Sequence, residues 1–297
     1  MQDGYVWMNG ELIPAEKARV SVNDYGFLYG FGLFETIRAY NGKPFMLEAH
    51  LERINGSLRS LGLSFRLEPR EIRRAVEQLL AENGLSSADS RIRLSITPGE
   101  GKPTGDLGSC GEPTIVILAS PISPDLDATL TLGVKAVVYP HPRSLSGEMA
   151  RMKLSSYVEN LLARRYAREE GAFEAIFLDR SGYVLEGAIS NLFMLRRERL
   201  ITPPVELGLL PGITRSVVIR IARDLGVEVD EKPFRLEDLL ESDGIFITNS
   251  IIGIVPVREL EGRMMGIPEI VNALREEYRE LTEVSPSSPL QAGSGRG

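Results

Sequence analysis

The sequence predicts a mixed α/β (α+β) protein of two domains, 1–120 and 131–282, joined by a linker at 121–130. Three observations carry that expectation. At 297 residues, with 43% hydrophobic and 25% charged side chains, the chain has a globular composition and the length of two ordinary domains. Period-two runs rich in β-branched and aromatic residues are interleaved with segments whose apolar residues recur at helical spacing. Between the halves, Pro121 and Pro124 stand among acidic and hydroxyl residues, as in a connector.

In chain order, 5–13 reads as a strand pair turned at Asn9-Gly10, a strong hairpin signal. Residues 33–40 form a strand, turned by Asn41-Gly42 into 44–47. Leu51, Ile54, Leu58 and Leu61 give 48–61 a helical stripe ending at Gly62. A second helix is expected over 69–83, with Pro69 near its start and Gly84 after its end. Residues 91–97 and 114–119 complete the first half as strands. In the second half, 131–139 is a strand and 155–170 a helix with Val158, Leu161, Leu162 and Tyr166 as its apolar stripe. Strands follow at 173–178, 183–185 and 191–195, the run 173–195 alternating like a hairpin packed on a core. A helix at 213–225 closes at Gly226, a strand lies at 245–248, and a late helix at 272–281. The Ser-, Pro- and Gly-rich tail, 283–297, is expected to be disordered.

Composition removes several function classes. A net charge of −7 without a basic stripe argues against nucleic-acid binding. Cys110 is the only cysteine, and His50 and His141 are the only histidines, so no Cys- or His-rich metal site is expected. No G-x-S-x-G elbow accompanies them. Without a long apolar run or a leader pattern, the expected setting is cytoplasmic, with no membrane partner.

Three short runs carry the chemistry. The lysines number six (Lys17, Lys43, Lys102, Lys135, Lys153 and Lys232), and Lys153 alone lies between an irregular stretch, 141–150, and a helix. Such an amine is either a Schiff-base nucleophile or a solvated side chain. Glu186 is the one ionisable group between Tyr183 and Phe193. It is either a buried carboxylate needing a cationic partner, such as a protonated pyridine nitrogen, or an edge-strand acid pointing at water. Pro211-Gly-Ile-Thr-Arg215 opens a helix whose free N–H groups suit a phosphate, although an ordinary helix start looks the same. Thr248-Asn249-Ser250 is a second possible cradle, and Arg53 can supply a full positive charge. An amine, a buried acid and an anion-sized helix start are the groups needed to hold pyridoxal 5'-phosphate (PLP). The glycine-rich 26–32 is followed by a strand, not a helix, so it is no dinucleotide fingerprint; it is read as a tight turn bringing Tyr29, Phe31 or Phe34 to a cavity wall.

In order along the chain, these motifs resemble the class IV (fold type IV) PLP-dependent aminotransferases. They are Tyr29-Gly-Phe-Gly-Leu-Phe-Glu-Thr36, Glu48-Ala-His-Leu-Glu-Arg53, Lys153, Glu186-Gly-x-x-Ser-Asn191, Leu210-Pro-Gly-Ile-Thr-Arg215 and Thr248-Asn-Ser250. The family includes branched-chain and D-amino-acid aminotransferases, R-selective amine transaminases and aminodeoxychorismate lyases. The resemblance implies two α/β domains with the cofactor at their interface, in a homodimer. It implies Lys153 as the catalytic lysine that forms the aldimine and shuttles the proton, and Glu186 as the pyridinium partner. By the same resemblance Arg53, Ile213, Thr214 and Ser250 hold the phosphate, and Leu210 packs on the ring. Phe34, Thr36, Arg93 and Asn249 are the implied substrate-binding residues. The expected function is transfer of an amino group between an amino acid or amine and a 2-oxo acid. Thr36 and Asn249 are more like the lyases, which leaves aminodeoxychorismate lyase as the alternative.

Overall fold

The computed structural model describes residues 4–284. These form two compact units: one comprises the chain up to Ile122 and from Leu281 on, the other is Ser123–Glu280. The stretch expected as a linker, 121–130, contains the end of a strand and one short helix.

In the first unit, β1 (Tyr5–Met8) and β2 (Glu11–Pro14) make the hairpin expected at Asn9-Gly10. Both turn residues have positive φ, 47° and 101°, the backbone that a two-residue loop needs to match strand twist. There follow α1 (Tyr25–Tyr29), β3 (Leu33–Tyr40), β4 (Lys43–Pro44), α2 (Leu47–Ser60), α3 (Pro69–Glu82), β5 (Ser90–Thr97) and β6 (Thr114–Pro121). Antiparallel pairing sets the order β2-β1-β6-β5-β3-β4. Along β3, Leu33, Glu35, Ile37 and Ala39 alternate to one buried face, where β3 packs on α2. Helix α2 buries Leu47, Leu51, Ile54 and Leu58 at helical spacing.

The glycine-rich 26–32 departs from its expected tight turn, because it carries α1. Asp24 caps this helix, accepting from the Gly26 N–H at 2.7 Å, and Gly30 ends it at φ 64°. The Asp24 carboxylate also accepts from the Thr97 and Thr114 hydroxyls at 2.9 and 2.6 Å, tying α1 to β5 and β6.

The second unit contains α4 (Leu126–Leu130), β7 (Val134–Val138), α5 (Gly147–Ala150), α6 (Val158–Glu169), β8 (Glu174–Leu178), β9 (Val184–Gly187), β10 (Asn191–Arg196) and β11 (Arg199–Thr202). It continues with α7 (Ile213–Asp224), β12 (Val229–Glu231), α8 (Leu236–Leu240), β13 (Gly244–Asn249), β14 (Gly253–Leu260), β15 (Arg263–Met264) and α9 (Glu269–Val284). Its mixed sheet has the order β12-β11-β10-β13-β14-β7-β8-β9, with β15 on β14. The run 173–195 is therefore not one hairpin: β8 pairs with β9, whereas β10 pairs with β11 and β13. Residues after Val284, which include most of the expected tail, lie outside the described residues.

Strand β14 has no counterpart in the sequence reading, and Pro256 lies in its middle, where a proline is disfavoured in a paired strand. The register with β7 begins only at Val257, so the missing N–H of Pro256 interrupts no pairing on that side.

Of the expected apolar stripe of α6, Tyr166 packs beside the core, but Val158, Leu161 and Leu162 face away from it. Val158 and Leu161 are 66% and 62% exposed, while Asn160, Ala163 and Ala167 are buried. The small side chains win because they let the helix lie close against Val137, Ala175 and Phe177. Asn160 donates to the Ala188 carbonyl at 2.7 Å. Ala163→Leu should therefore overpack this seam and lower stability by about 1–3 kcal/mol in urea unfolding. A stability equal to wild type would show that the helix does not pack this closely. No helix among the described residues is long and apolar enough to cross a membrane.

Candidate active site

The chemistry-bearing residues of the second unit gather around the end of β9. Glu186 is on the last strand of the sheet path, yet only 6% exposed, so it does not point at water. One oxygen, Oε2, accepts from the Leu210 N–H at 3.1 Å and from Asn191 Nδ2 at 3.3 Å. The other, Oε1, lies 3.5 Å from Nη2 of Arg143. Burial pushes the Glu186 carboxyl up to about 7, against the opposing pull of Arg143, the Leu210 N–H and Lys153, while Glu174 adds repulsion. A buried acid so far above its ordinary range is short of positive charge.

Lys153 is half-buried in the segment between α5 and α6, close enough to Glu186 for its charge to act on the carboxyl. Its Nζ is 5.9 Å from the ring centroid of Tyr157, whose hydroxyl donates to the Ala188 carbonyl at 3.1 Å. The same carbonyl anchors Asn160, so the turn after β9 and the start of α6 are fastened together.

Beside this pair, Gly212 begins α7. No side chain caps the helix, and no acid lies in its first turn, so its first N–H groups face outward with the positive end of the dipole. A Cβ on Gly212 would lie 1.9 Å from Asn191 Oδ1, so glycine is required for this approach. Asn191 also donates to the Leu210 carbonyl at 2.9 Å, linking β10, Glu186 and the loop before α7. Ile213 and Thr214 form the first turn, with Thr214 buried. At the end of β13, Thr248 stands opposite Asn191, and its buried hydroxyl has no partner among the described residues. Asn249 uses its amide on the next turn: Nδ2 donates to the Ile189 carbonyl at 3.1 Å, and Oδ1 accepts from the Ile251 and Ile252 N–H groups at 2.9 and 3.0 Å. Ser250 is half-buried in that turn.

These features fit PLP. Its ring nitrogen needs a buried acid, its aldehyde an amine, and its phosphate a set of N–H and hydroxyl donors. Glu186, Lys153, the uncapped start of α7 and the orphaned Thr248 hydroxyl are donors and acceptors of those kinds.

The remaining expected site residues belong to the first unit. Phe34 and Thr36 share one face of β3, and Arg93 on β5 stands opposite Thr36. The Arg93 guanidinium lies over the Phe34 ring at 3.9 Å, so these three come together. Glu35 points to the other face and is fully buried. Arg53 of α2 grips it in a two-point pair, Nε to Oε1 at 2.8 Å and Nη2 to Oε2 at 2.6 Å, while His50 Nδ1 lies 2.8 Å from Oε2. Burial alone would raise the Glu35 carboxyl, but the Arg53 and His50 charges outweigh it and hold it down at about 2.

Sequence reasoning missed Arg143, Glu35 and His50 as parts of these clusters. His50 and Arg53 carried a usable signal, since three residues apart on a helix they share a face. Arg143 carried none, because it lies in an irregular stretch with no period to read.

Residues 32–260 match the family model described as amino-transferase class IV. A branched-chain aminotransferase from Thermoproteus uzoniensis, solved with norvaline, is 35% identical, with a TM-score of 0.86 over 95% of each chain. A hypothetical aminotransferase from Mycobacterium tuberculosis, solved in its PLP-bound form, is 28% identical, with a TM-score of 0.83 over 96% of this chain and 100% of that one. Aminodeoxychorismate lyase of Bacillus subtilis (strain 168) is 32% identical over 256 residues, 86% of each chain. With this fold, and with residues that suit the cofactor, the chain belongs to the class IV aminotransferases and is a PLP-dependent transaminase.

Proposed function

We propose that this enzyme moves the amino group of a branched-chain amino acid to a 2-oxo acid. The observation that carries the substrate class is Arg93 lying over Phe34, beside Thr36. A cation for the substrate carboxylate next to an aromatic wall for an apolar side chain suits such a substrate. The similarity to branched-chain aminotransferases supports the same choice.

When bound, PLP supplies an aldehyde that takes the amino group and a protonated ring that draws electrons away from the substrate Cα. Lys153 Nζ is the proposed catalytic base, which would take the proton from the substrate Cα and hold it for return. Glu186 would hold the ring nitrogen protonated, and Leu210 would pack beside the ring. Ile213 and Thr214, together with Ser250 and Arg53, are the proposed phosphate ligands; Glu35 and His50 fix Arg53 in one orientation. Asn249 completes the proposed substrate site by shaping the turn it braces.

A homodimer in the cytoplasm belongs to the same proposal. Phe27 on α1 and Val158 and Leu161 on α6 expose apolar surface of the kind a second copy covers.

The test is a half reaction: PLP-loaded enzyme is mixed with a panel of L- and D-amino acids and no acceptor. Leucine, isoleucine or valine is expected to convert the cofactor one-for-one to its amino form, with release of the 2-oxo acid. No conversion with any member would overturn the proposal. Thr36, Asn249 and the similarity to the B. subtilis lyase favour a second reading, elimination of pyruvate from aminodeoxychorismate. Pyruvate release from that substrate, without conversion of the cofactor, would select it.

A further inference from the structure

We propose that Arg143 is a positioning residue that acts through Glu186, its buried guanidinium serving as the lasting counter-charge beside one carboxylate oxygen, so that the carboxylate stays charged for the ring nitrogen. The inference rests on the reading of Glu186 as the partner of that nitrogen.

Arg143 lies in the loop after β7, held by its N–H to the Leu178 carbonyl at 2.8 Å. Its side chain is almost wholly buried, stacked over the Phe177 ring with the guanidinium carbon 4.3 Å from the centroid. Nη2 approaches Glu186 Oε1 at 3.5 Å, and Nε approaches Glu159 Oε2 at 3.6 Å. Both separations exceed a good hydrogen bond, and Nε and Nη1 have no hydrogen-bond partner among the described residues. A guanidinium buried with the donors of two of its three nitrogens unused contributes little as a structural tie, since desolvating it is costly. Its charge still acts strongly at this range, where water does not screen it.

The division of labour at Glu186 follows from what surrounds it. Oε1 faces Arg143, while Oε2 takes the Leu210 N–H and Asn191 Nδ2. From the segment before α6, Lys153 adds positive charge; from β8, Glu174 adds repulsion. Glu174 is itself buried against the Ser190 hydroxyl at 2.7 Å and is raised above the ordinary carboxylate range by burial. Lys153 must give up its positive charge to act as a base, so it cannot be the lasting counter-charge of Glu186. Arg143 can, because a guanidinium does not lose its proton in a protein.

The sign of the expected effect follows. Carboxylate and ring nitrogen share one proton in the working state. A nearby cation disfavours every proton on that pair, so removing it moves both limbs of the pH profile upward. For a charge beside a carboxylate the shift is about 1–3 pH units. The experiment measures turnover and the affinity for PLP, by visible absorbance, from about pH 5 to about pH 10, a window that brackets the Glu186 carboxyl at about 7. It compares wild type, Arg143→Gln, Arg143→Lys, Glu186→Gln and the double variant.

Arg143→Gln is expected to move both profiles upward by at least about one unit, and Arg143→Lys to restore most of the shift. In the Glu186→Gln background, the further shift from Arg143→Gln should fall below about 0.3 unit, since coupled residues lose their separate effects. Arg143→Gln profiles that superimpose on wild type, an Arg143→Lys profile shifted as far as that of Arg143→Gln, or an equal shift in both backgrounds, would overturn the inference. Should Arg143→Gln fail to fold, Arg143→Met takes its place with the same expected rise of at least about one unit, and a profile that superimposes on wild type overturns the inference. If Glu186→Gln turns over like wild type, the parent reading of Glu186 fails; if it is impaired and Arg143 is uncoupled, only the present inference does.

Discussion

Lys153→Ala is expected to lower turnover by at least about a thousandfold, because the proposed mechanism gives one amine both tasks, holding the cofactor and moving the proton. Folding should be nearly unchanged: Lys153 is half-buried in a loop, and such substitutions usually shift stability by less than about 1 kcal/mol. The phosphate ligands remain, so the variant should still take up PLP, but without the visible band of lysine-bound cofactor. Borohydride reduction of the loaded wild type, followed by peptide mass spectrometry, should place the added mass on Lys153. The competing lysines are few, and their surroundings differ. Lys135 pairs with Glu259 at 3.5 Å, and Lys232 with Asp230 at 3.0 Å, both as surface ion pairs. An unaltered visible band in Lys153→Ala, or a reduced adduct on another lysine, would remove Lys153 from the mechanism.

What the sequence made legible follows the range of the forces involved. The Asn9-Gly10 turn, the starts of α3 and α7 and the strand of Glu186 depend on a few adjacent residues, so local patterns reveal them. The α6 stripe misled because apolar period alone does not tell which face packs. The close seam selects Ala163 and Ala167, and Val158 and Leu161 turn outward. Strand β14 was not legible, and its tolerance of Pro256 depends on where pairing with β7 begins, a fact of tertiary register. Arg143 was invisible for a similar reason. Its meaning comes from Phe177, Glu159 and Glu186, which the fold brings to it from three separate segments. Lys153 and Glu186 were recognisable by residue type and order along the chain, but only the structure shows that one charge acts on the other.

Glu186→Gln should keep PLP binding while lowering turnover on the order of 10²–10⁴-fold, the scale of losing a group that holds a proton at the reaction centre. The amide preserves shape and can still accept from the Leu210 N–H, so the loop before α7 should stay in place. What disappears is the charge that keeps a proton on the ring nitrogen. The wild-type carboxyl is raised to about 7 by burial against the pull of Arg143, and on the proposed pairing a cationic ring nitrogen would bring it to full charge. Without that charge the ring gives up its proton more readily, so the alkaline limb of the turnover profile should move to lower pH. Turnover within a factor of about three of wild type, with the limb unmoved, would show that Glu186 does not serve the ring. The direction of this shift is opposite to that expected for Arg143→Gln, although the two side chains lie 3.5 Å apart. A general loosening of this corner of the fold would move both profiles the same way; a carboxylate and its counter-charge acting on one shared proton must move them apart.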